Sequence, residues 1–393
     1  MKNFILTDIQ DLSLPFIIYG AGMYGQHIFN ILSKAEIEIH AVCVDDEFFQ
    51  ANSNTWNGVP MYSKESIQQK FPTCNLIVGF YSLHQAKKIV WTDAHPVYFF
   101  DESRLRPLAQ LDTLQADMGD FFNHEPNLLS KQNLIHLYLG CKKKSIAFSN
   151  YDDATGEIQL TTPNGTKLIT NIYFGILKEI FCDEVYSHCK DYLSDDYVVF
   201  DIGANRGYSA LYFAEDEHCK EVFSFEPTTS TLAFLHKNLA LNPELKKKIS
   251  VFEYGLSNCN GEVTFYIPND GTDGVNSTEL GFINSYYSTE RRSSITETKI
   301  TVKNAAEVIA SISPPRHTRK IIKIDIEGGE YKVLKNLKNT NTLSQFHMII
   351  GECHNGMDGI MEICGEDFDL VHCIKENTEA TAIFLLLKKR IIL

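Results

Sequence analysis

Short apolar runs alternate with stretches of helical spacing along most of this chain. Pro15 to Tyr19 is a strand-like run that ends in Gly20-Ala21-Gly22-Met23-Tyr24-Gly25. Gln26 to Lys34 then places Ile28, Ile31 and Leu32 on one helical face. Strand-sized runs follow at Ile37–Val44, Leu76–Phe80 and Val97–Phe100. Such alternation predicts a parallel sheet with right-handed crossovers over about residues 1–105. Residues 106–145 read as helical, with Leu128, Leu129, Leu134, Ile135 and Leu137–Leu139 as apolar positions. Glu157–Thr161 and Lys167–Thr170 flank Pro163-Asn164-Gly165, a hairpin-turn signal. A helix over about Ile176–Tyr192 completes a connector spanning 106–193.

The alternation restarts in the third segment, 194–393. Strands are predicted at Tyr197–Ile202, Glu221–Phe225, Ile249–Tyr254, Glu262–Ile267, Lys320–Ile326 and His347–Glu352. A terminal hairpin pairs Leu370–Ile374 with Ala380–Leu387. Residues 268–298 are polar and show no clear element; a loop of that length in a compact domain is usually functional or mobile. The pattern as a whole is α/β, with two glycine turns that open two separate sheet units.

Composition narrows the function classes. The 393 residues carry 36 Lys and Arg against 50 Asp and Glu, a net charge of −14. That balance disfavours a phosphate backbone as partner, so no nucleic-acid binding is expected. Lys142–Lys144, Lys246–Lys248 and Lys388–Arg390 read as solvated faces. Ser313-Pro314-Pro315-Arg316 precedes a strand rather than following one, unlike the motif of adenine-amino methyltransferases. The first ten residues do not read as a signal peptide, and the longest apolar runs are strand-sized, so no membrane span and a cytoplasmic location are expected. The ten cysteines form no C-x-x-C pair and read as reduced, mostly core thiols.

The two glycine turns imply different ligands. Gly20, Gly22 and Gly25 have the dinucleotide spacing, and Asp45 follows Gly20 by 25 residues, where a carboxylate could bind ribose hydroxyls. The second turn is Asp201, Gly203, Asn205 and Gly207, with no third glycine at that spacing. Glu226 closes the next strand, 25 residues after Asp201. S-adenosylmethionine has no pyrophosphate to cradle. Glycines would let its methionyl end lie on the turn, Glu226 could accept both ribose hydroxyls, and Asp201 could bind the ammonium directly or through water. Asp325, Glu327-Gly328-Gly329 and Glu352 fall at or near later strand ends, so all should converge on one cleft.

Asp201-Ile202-Gly203-Ala204-Asn205-Arg206-Gly207, Phe225-Glu226-Pro227 and Ile322-Lys323-Ile324-Asp325-Ile326-Glu327-Gly328-Gly329-Glu330 resemble the FkbM-type S-adenosylmethionine-dependent methyltransferases. Gly255-Leu256-Ser257-Asn258, Gly261-Glu262 and Gly351-Glu352-Cys353-His354 are similar to that family too, so the likeness runs over about residues 194–355. The resemblance implies two Rossmann-like units, the second a class I methyltransferase sheet with a terminal antiparallel hairpin. It implies S-adenosylmethionine as cofactor, held by Asp201, Gly203, Asn205, Gly207, Glu226, Pro227, Ser257 and Asp325, and O-methylation of a sugar, glycan or related natural product. Ile18–Gly22, Val44-Asp45-Asp46 and Gly58-Val59-Pro60 resemble the sugar-nucleotide-binding domain of bacterial sugar O-acyltransferases.

A sugar hydroxyl needs a general base. The candidates are His354 first, then Asp325 and Glu327. The two carboxylates could instead hold Mg²⁺, whose hard ligands they are, but no complete ligand set is readable and no metal is assigned. The acceptor is a small molecule or glycan, and a homo-oligomer is compatible with the pattern. Two other readings stand beside this one: an NAD(P)-dependent oxidoreductase using the first turn, and a non-catalytic sugar-nucleotide-binding or scaffold protein.

Overall fold

The computed structural model describes residues 9, 11–34, 37–45, 49, 55–78, 97–101, 104–107, 137, 140–152, 155–171, 174–268, 276–280, 295–375 and 381–389. The chain separates into two compact units, residues 1–138 and 139–393. The division falls inside the stretch expected as a connector.

In the first unit, β1 (Phe16–Tyr19), β2 (Ile39–Val44), β3 (Thr55–Trp56), β4 (Val59–Ser63), β5 (Asn75–Val78), β6 (Val97–Asp101) and β7 (Arg104–Pro107) form one sheet. Its order is β3-β4-β2-β1-β5-β6-β7. The central strands β4, β2, β1, β5 and β6 are parallel, as the alternation predicts. Residues 106 and 107 belong to a strand antiparallel to β6 rather than to a helix, a correction to the expected start of the helical stretch. Most of the helical expectation for 106–145 lies outside the described residues.

The second unit begins with a three-stranded antiparallel sheet, β8 (Ala147–Asp152), β9 (Glu157–Thr161) and β10 (Lys167–Thr170). The β9–β10 pair is the expected hairpin, with Gly165 at φ +89° in its turn. The helix expected over 176–192 is broken. A short α-turn, Gly175–Leu177, passes into a π-turn, Lys178–Cys182, and a 3₁₀ segment, Ser187–Tyr192. Glu184 takes φ +53°, a backbone that no helix continues through.

The main sheet contains β11 (Tyr197–Ile202), β12 (Cys219–Phe225), β13 (Ile249–Phe252), β17 (Arg319–Ile324), β18 (Met348–Cys353), β19 (Phe368–Lys375) and β20 (Ala382–Lys388). The order is β13-β12-β11-β17-β18-β20-β19, parallel from β13 to β18 and antiparallel at β20 and β19. All six residues of β11 are buried, as in a strand covered on both faces. Phe200, Phe225, Ile322, Ile324, Ile349 and Phe384 anchor the core. A second small sheet, β14 (Gly255–Ser257), β15 (Gly261–Pro268) and β16 (Ile295–Asn304), lies in the order β14-β16-β15. β16 corrects the expectation of no element up to residue 298. Alternation in Ile295–Asn304 is polar on its exposed positions, and the strand is made by register with β15, which sequence periodicity alone does not disclose. Among the described residues no helix is long and apolar enough to cross a membrane. The ten cysteines are free thiols, all buried except Cys259 and Cys373.

Candidate active site

The strand order reverses at β11, where connections leave toward β12 on one side and β17 on the other. In open α/β sheets the crevice at such a point, beyond the carboxyl ends of the strands, is where ligands bind. The turn after β11 is shaped to leave that crevice open. Gly203 has φ +88°, and a Cβ there would stand 1.9 Å from the Asp325 carbonyl oxygen. Only glycine lets the two strand ends approach this closely. Asn205 takes φ +47° and Gly207 φ +80°, which feeds the buried helix Tyr208–Ala214.

A buried ion pair holds this turn from behind. The Lys323 ammonium lies 3.3 Å from Asp201 and donates to the Gly203 carbonyl at 2.7 Å. Ser209 donates to the other Asp201 oxygen at 2.8 Å. Burial pushes the Asp201 carboxyl up, and Lys323 and Ser209 pull it back. Burial works against the Lys323 charge, but Asp201 and Asp325 raise its pKa above the ordinary value. Asp201 was expected to face the ligand ammonium; its 0% exposed carboxylate instead faces Lys323. Ser209→Ala removes one neutral donor to a carboxylate that keeps its cation. We expect about 1–3 kcal/mol of lost stability in denaturant unfolding, and no loss would show that Ser209 does not satisfy Asp201.

Glu226 follows β12. One carboxylate oxygen accepts from the Asn205 N–H at 2.9 Å and the other from the Thr228 N–H at 2.8 Å. Burial raises its pKa while the Thr228 and Asn205 donors lower it. These bonds fix the carboxylate on the cleft wall with lone pairs left for further donors. Phe225 beside it stacks on Phe252, ring centroids 4.9 Å apart. Pro227, Leu256 and Ser257 continue this wall, and Ile176 and Ile180 come to the cleft from the broken helix.

The third wall is acidic. Asp325 and Glu327 face the cleft just past β17. Glu327 has φ +54°, a strained position for a residue with a side chain, and Gly328 follows at φ +98°. Behind them His354 is 5% exposed. Its Nδ1 lies 3.1 Å from Glu330, and its Nε2 lies 3.2 Å from Glu327 and 3.4 Å from Glu352. Glu330 is 0% exposed and accepts the N–H groups of Ile326 and Gly328. Burial disfavours the charged imidazole, yet the bonds to Glu330 and Glu352 and the charge of Glu327 outweigh it, and the His354 pKa is pushed up to about 12. Burial raises the Glu327 carboxyl well above its usual range, His354 opposes this, and the neighbouring carboxylates add to it.

The cleft thus brings together Gly203, Asn205, Glu226, Pro227, Ser257, Asp325 and Glu327 of the expected residues. Gly207 lies at the helix start against Leu235 rather than on the cleft. His354 differs from the expected free base at a strand end, because three carboxylates, Glu327, Glu330 and Glu352, converge around it. Sequence reasoning missed Lys323, Ser209, Thr228 and Glu330. Lys323 carried a signal: a lysine flanked by isoleucines in the buried half of a strand implies a buried partner.

The first turn stands in its own unit. Gly20 has φ +108°, and a Cβ on Gly25 would lie 1.9 Å from the Gly20 carbonyl oxygen. Gly22 has open space around it. Asp45 accepts a hydrogen bond from the Tyr19 hydroxyl.

A switch-point cleft with a glycine turn on one strand and a backbone-held carboxylate after the next defines a Rossmann-like α/β domain. Comparison adds that residues 201–379 match the family model of the methyltransferase FkbM domain. Among curated proteins, the chain is 26% identical over 253 residues to the AMB antimetabolite synthetase AmbE of Pseudomonas aeruginosa, covering 56% of this chain and 12% of AmbE. It is 29% identical over 169 residues to the hexuronic acid methyltransferase AglP of Haloferax volcanii, covering 42% of this chain and 59% of AglP. The chain therefore spans only part of the length of these two relatives. Among solved structures it is similar to methyltransferase FkbM of Methylobacillus flagellatus, with 13% identity, a TM-score of 0.36, and coverage of 98% of this chain and 95% of the other.

Proposed function

We propose that the second unit binds S-adenosylmethionine in the β11–β12–β17 cleft and transfers its methyl group to a hydroxyl oxygen of a sugar or glycan. The observation that supports this reading is the Glu226 carboxylate, held at the cleft by the Asn205 and Thr228 N–H groups, where it could accept a ribose diol. The donor set fits the cofactor. Gly203 and Asn205 line the cleft beside Glu226, and the acidic wall suits a cationic sulfonium. When bound, the cofactor supplies an electrophilic methyl group.

In this reading Gly203 and Asn205 receive the methionyl end, and Pro227, Leu256 and Ser257 receive the nucleoside. The Asp201–Lys323 pair acts on the cofactor only through the turn it holds. Asp325 and Glu327 face the acceptor. One of these carboxylates would take the proton of the acceptor hydroxyl. His354, enclosed by Glu327, Glu330 and Glu352, acts as a positioning residue rather than as the base. Holding oxygen, methyl and sulfur in line supplies much of the rate. The hexuronic acid activity named for AglP supports an acidic sugar as the first acceptor class to try.

The test is incorporation of labelled methyl from S-adenosylmethionine into a panel of glycans, hexuronic acids and nucleotide sugars. Label on an acceptor oxygen supports the reading; label on nitrogen or carbon alone would overturn the O-methylation. A thermal-shift panel separates the rivals. S-adenosylmethionine and S-adenosylhomocysteine at 100 times their Kd should stabilise the folded chain by about 2.7 kcal/mol, a rise of several degrees. Stabilisation by NAD(P) alone would favour an oxidoreductase using Gly20, Gly22, Gly25 and Asp45. For the first unit we propose a sugar-nucleotide ligand at that turn.

A further inference from the structure

We propose that Asp325, Glu327 and the Nε2 atom of His354 form a divalent-cation site on the acceptor side of the cleft, with Glu352 beside them as a fourth ligand. Asp325, Glu327 and His354 each offer one ligand atom, and these atoms lie within 4.8 Å of one another. Around an ion with bonds of about 2.1 Å, neighbouring octahedral ligands stand about 3.0 Å apart and opposite ones about 4.2 Å apart. The Nε2 atom of His354 is 3.2 Å from Glu327 and 3.4 Å from Glu352, close to that neighbouring spacing. Small side-chain movements would close the site.

The other side of the imidazole is built as a metal-bound histidine requires. Such a histidine gives its second N–H to a carboxylate, which fixes ring orientation and leaves the first nitrogen for the ion. Here Glu330, 3.1 Å from Nδ1, fills that place. Glu330 is itself pinned by the Ile326 N–H at 2.9 Å and the Gly328 N–H at 3.1 Å. Nε2 can donate a single proton, to one acceptor well, while two carboxylates lie within 3.4 Å of it. A divalent ion in place of that proton would meet both, and Asp325 as well. Lys323 is 3.9 Å from Asp325, but its ammonium is directed to Asp201 and Gly203. Three carboxylates with one imidazole favour Mn²⁺ or Zn²⁺ over Mg²⁺, which prefers oxygen and water alone.

Resting on the proposed methyl transfer, the ion would bind the acceptor hydroxyl and lower its pKa, and would select acceptors that offer a second oxygen beside it. Ion binding itself is testable without the cofactor. The full chain, stripped with EDTA, is titrated with Mn²⁺ while the electron paramagnetic resonance signal of free Mn²⁺ is followed. We expect one Mn²⁺ bound per chain, displaced by Zn²⁺. The double variant Asp325→Asn, Glu327→Gln should bind at least tenfold more weakly at an unchanged circular dichroism spectrum. Glu330→Gln, a positioning change, should weaken binding about 10- to 100-fold while leaving one site. No Mn²⁺ or Zn²⁺ uptake by the wild-type chain, or equal uptake by the double variant, would overturn the site. Either result beside intact S-adenosylhomocysteine binding would leave the methyltransferase reading standing, whereas metal uptake without S-adenosylhomocysteine binding would do the reverse.

Discussion

Replacing Glu226 by alanine should weaken S-adenosylhomocysteine binding by about 100- to 1000-fold. A hydrogen bond to a charged acceptor contributes about 1.5–3 kcal/mol, and a ribose offers two donors to this one carboxylate. Every 1.4 kcal/mol is about tenfold in affinity, so losing about 3–4 kcal/mol gives that range. Glu226→Gln keeps one acceptor oxygen and should fall between, near tenfold. Burial already works against the Glu226 charge, so its removal does not strip the core of a favourable ion. It does orphan the Asn205 and Thr228 N–H groups, and a modest drop in Tm should accompany the binding loss. Calorimetry on the folded variant reads the affinity directly. An unchanged Kd would remove the ribose role from Glu226.

The largest stability effect should come from Lys323→Met. The lysine is 2% exposed and pairs with an Asp201 carboxylate that is 0% exposed. Taking away one partner of a buried pair costs about 3–5 kcal/mol, because the remaining charge has no water to return to. For a unit of this size that corresponds to a fall in Tm of about 6–20 °C. The variant also loses the bond to the Gly203 carbonyl, so cofactor affinity should fall with it. Adding Asp201→Asn removes the stranded charge and should recover most of the stability but not the affinity. A Lys323→Met protein as stable as wild type would mean that Asp201 is neutral in the fold and that the pair does not brace the turn.

Much of this arrangement was legible in the sequence. The strand-turn-strand spacing from Asp201 to Glu226 and the acidic ends of β17 and β18 placed most of the cleft residues. Parallel strands buried on both faces, such as Tyr197–Ile202, read as continuous apolar runs, and that signal is local. The last strand was legible from its continuous apolar run, Ala382–Leu387, of which the first five residues are buried. What escaped depended on pairing across long sequence distance. β16 is defined by its register with β15, and only Ile300 and Val302 of its ten residues are buried. The helix expected over 176–192 kept its apolar spacing but not its backbone, because the break rests on the φ of one residue, Glu184. His354 looked like a base from its place after a strand. Its surroundings come from Glu327, Glu330 and Glu352 on two different strand ends, and only the fold brings these carboxylates together.

The central claim is that the second glycine turn, not the first, holds an adenosyl cofactor. Calorimetric titration of the full chain with S-adenosylhomocysteine tests it most directly when wild type, Glu226→Ala and the first-turn variant Asp45→Ala are run together. The account predicts one site per chain, lost or weakened at least 100-fold in Glu226→Ala and unchanged in Asp45→Ala. Binding that survives in Glu226→Ala and disappears in Asp45→Ala would contradict it.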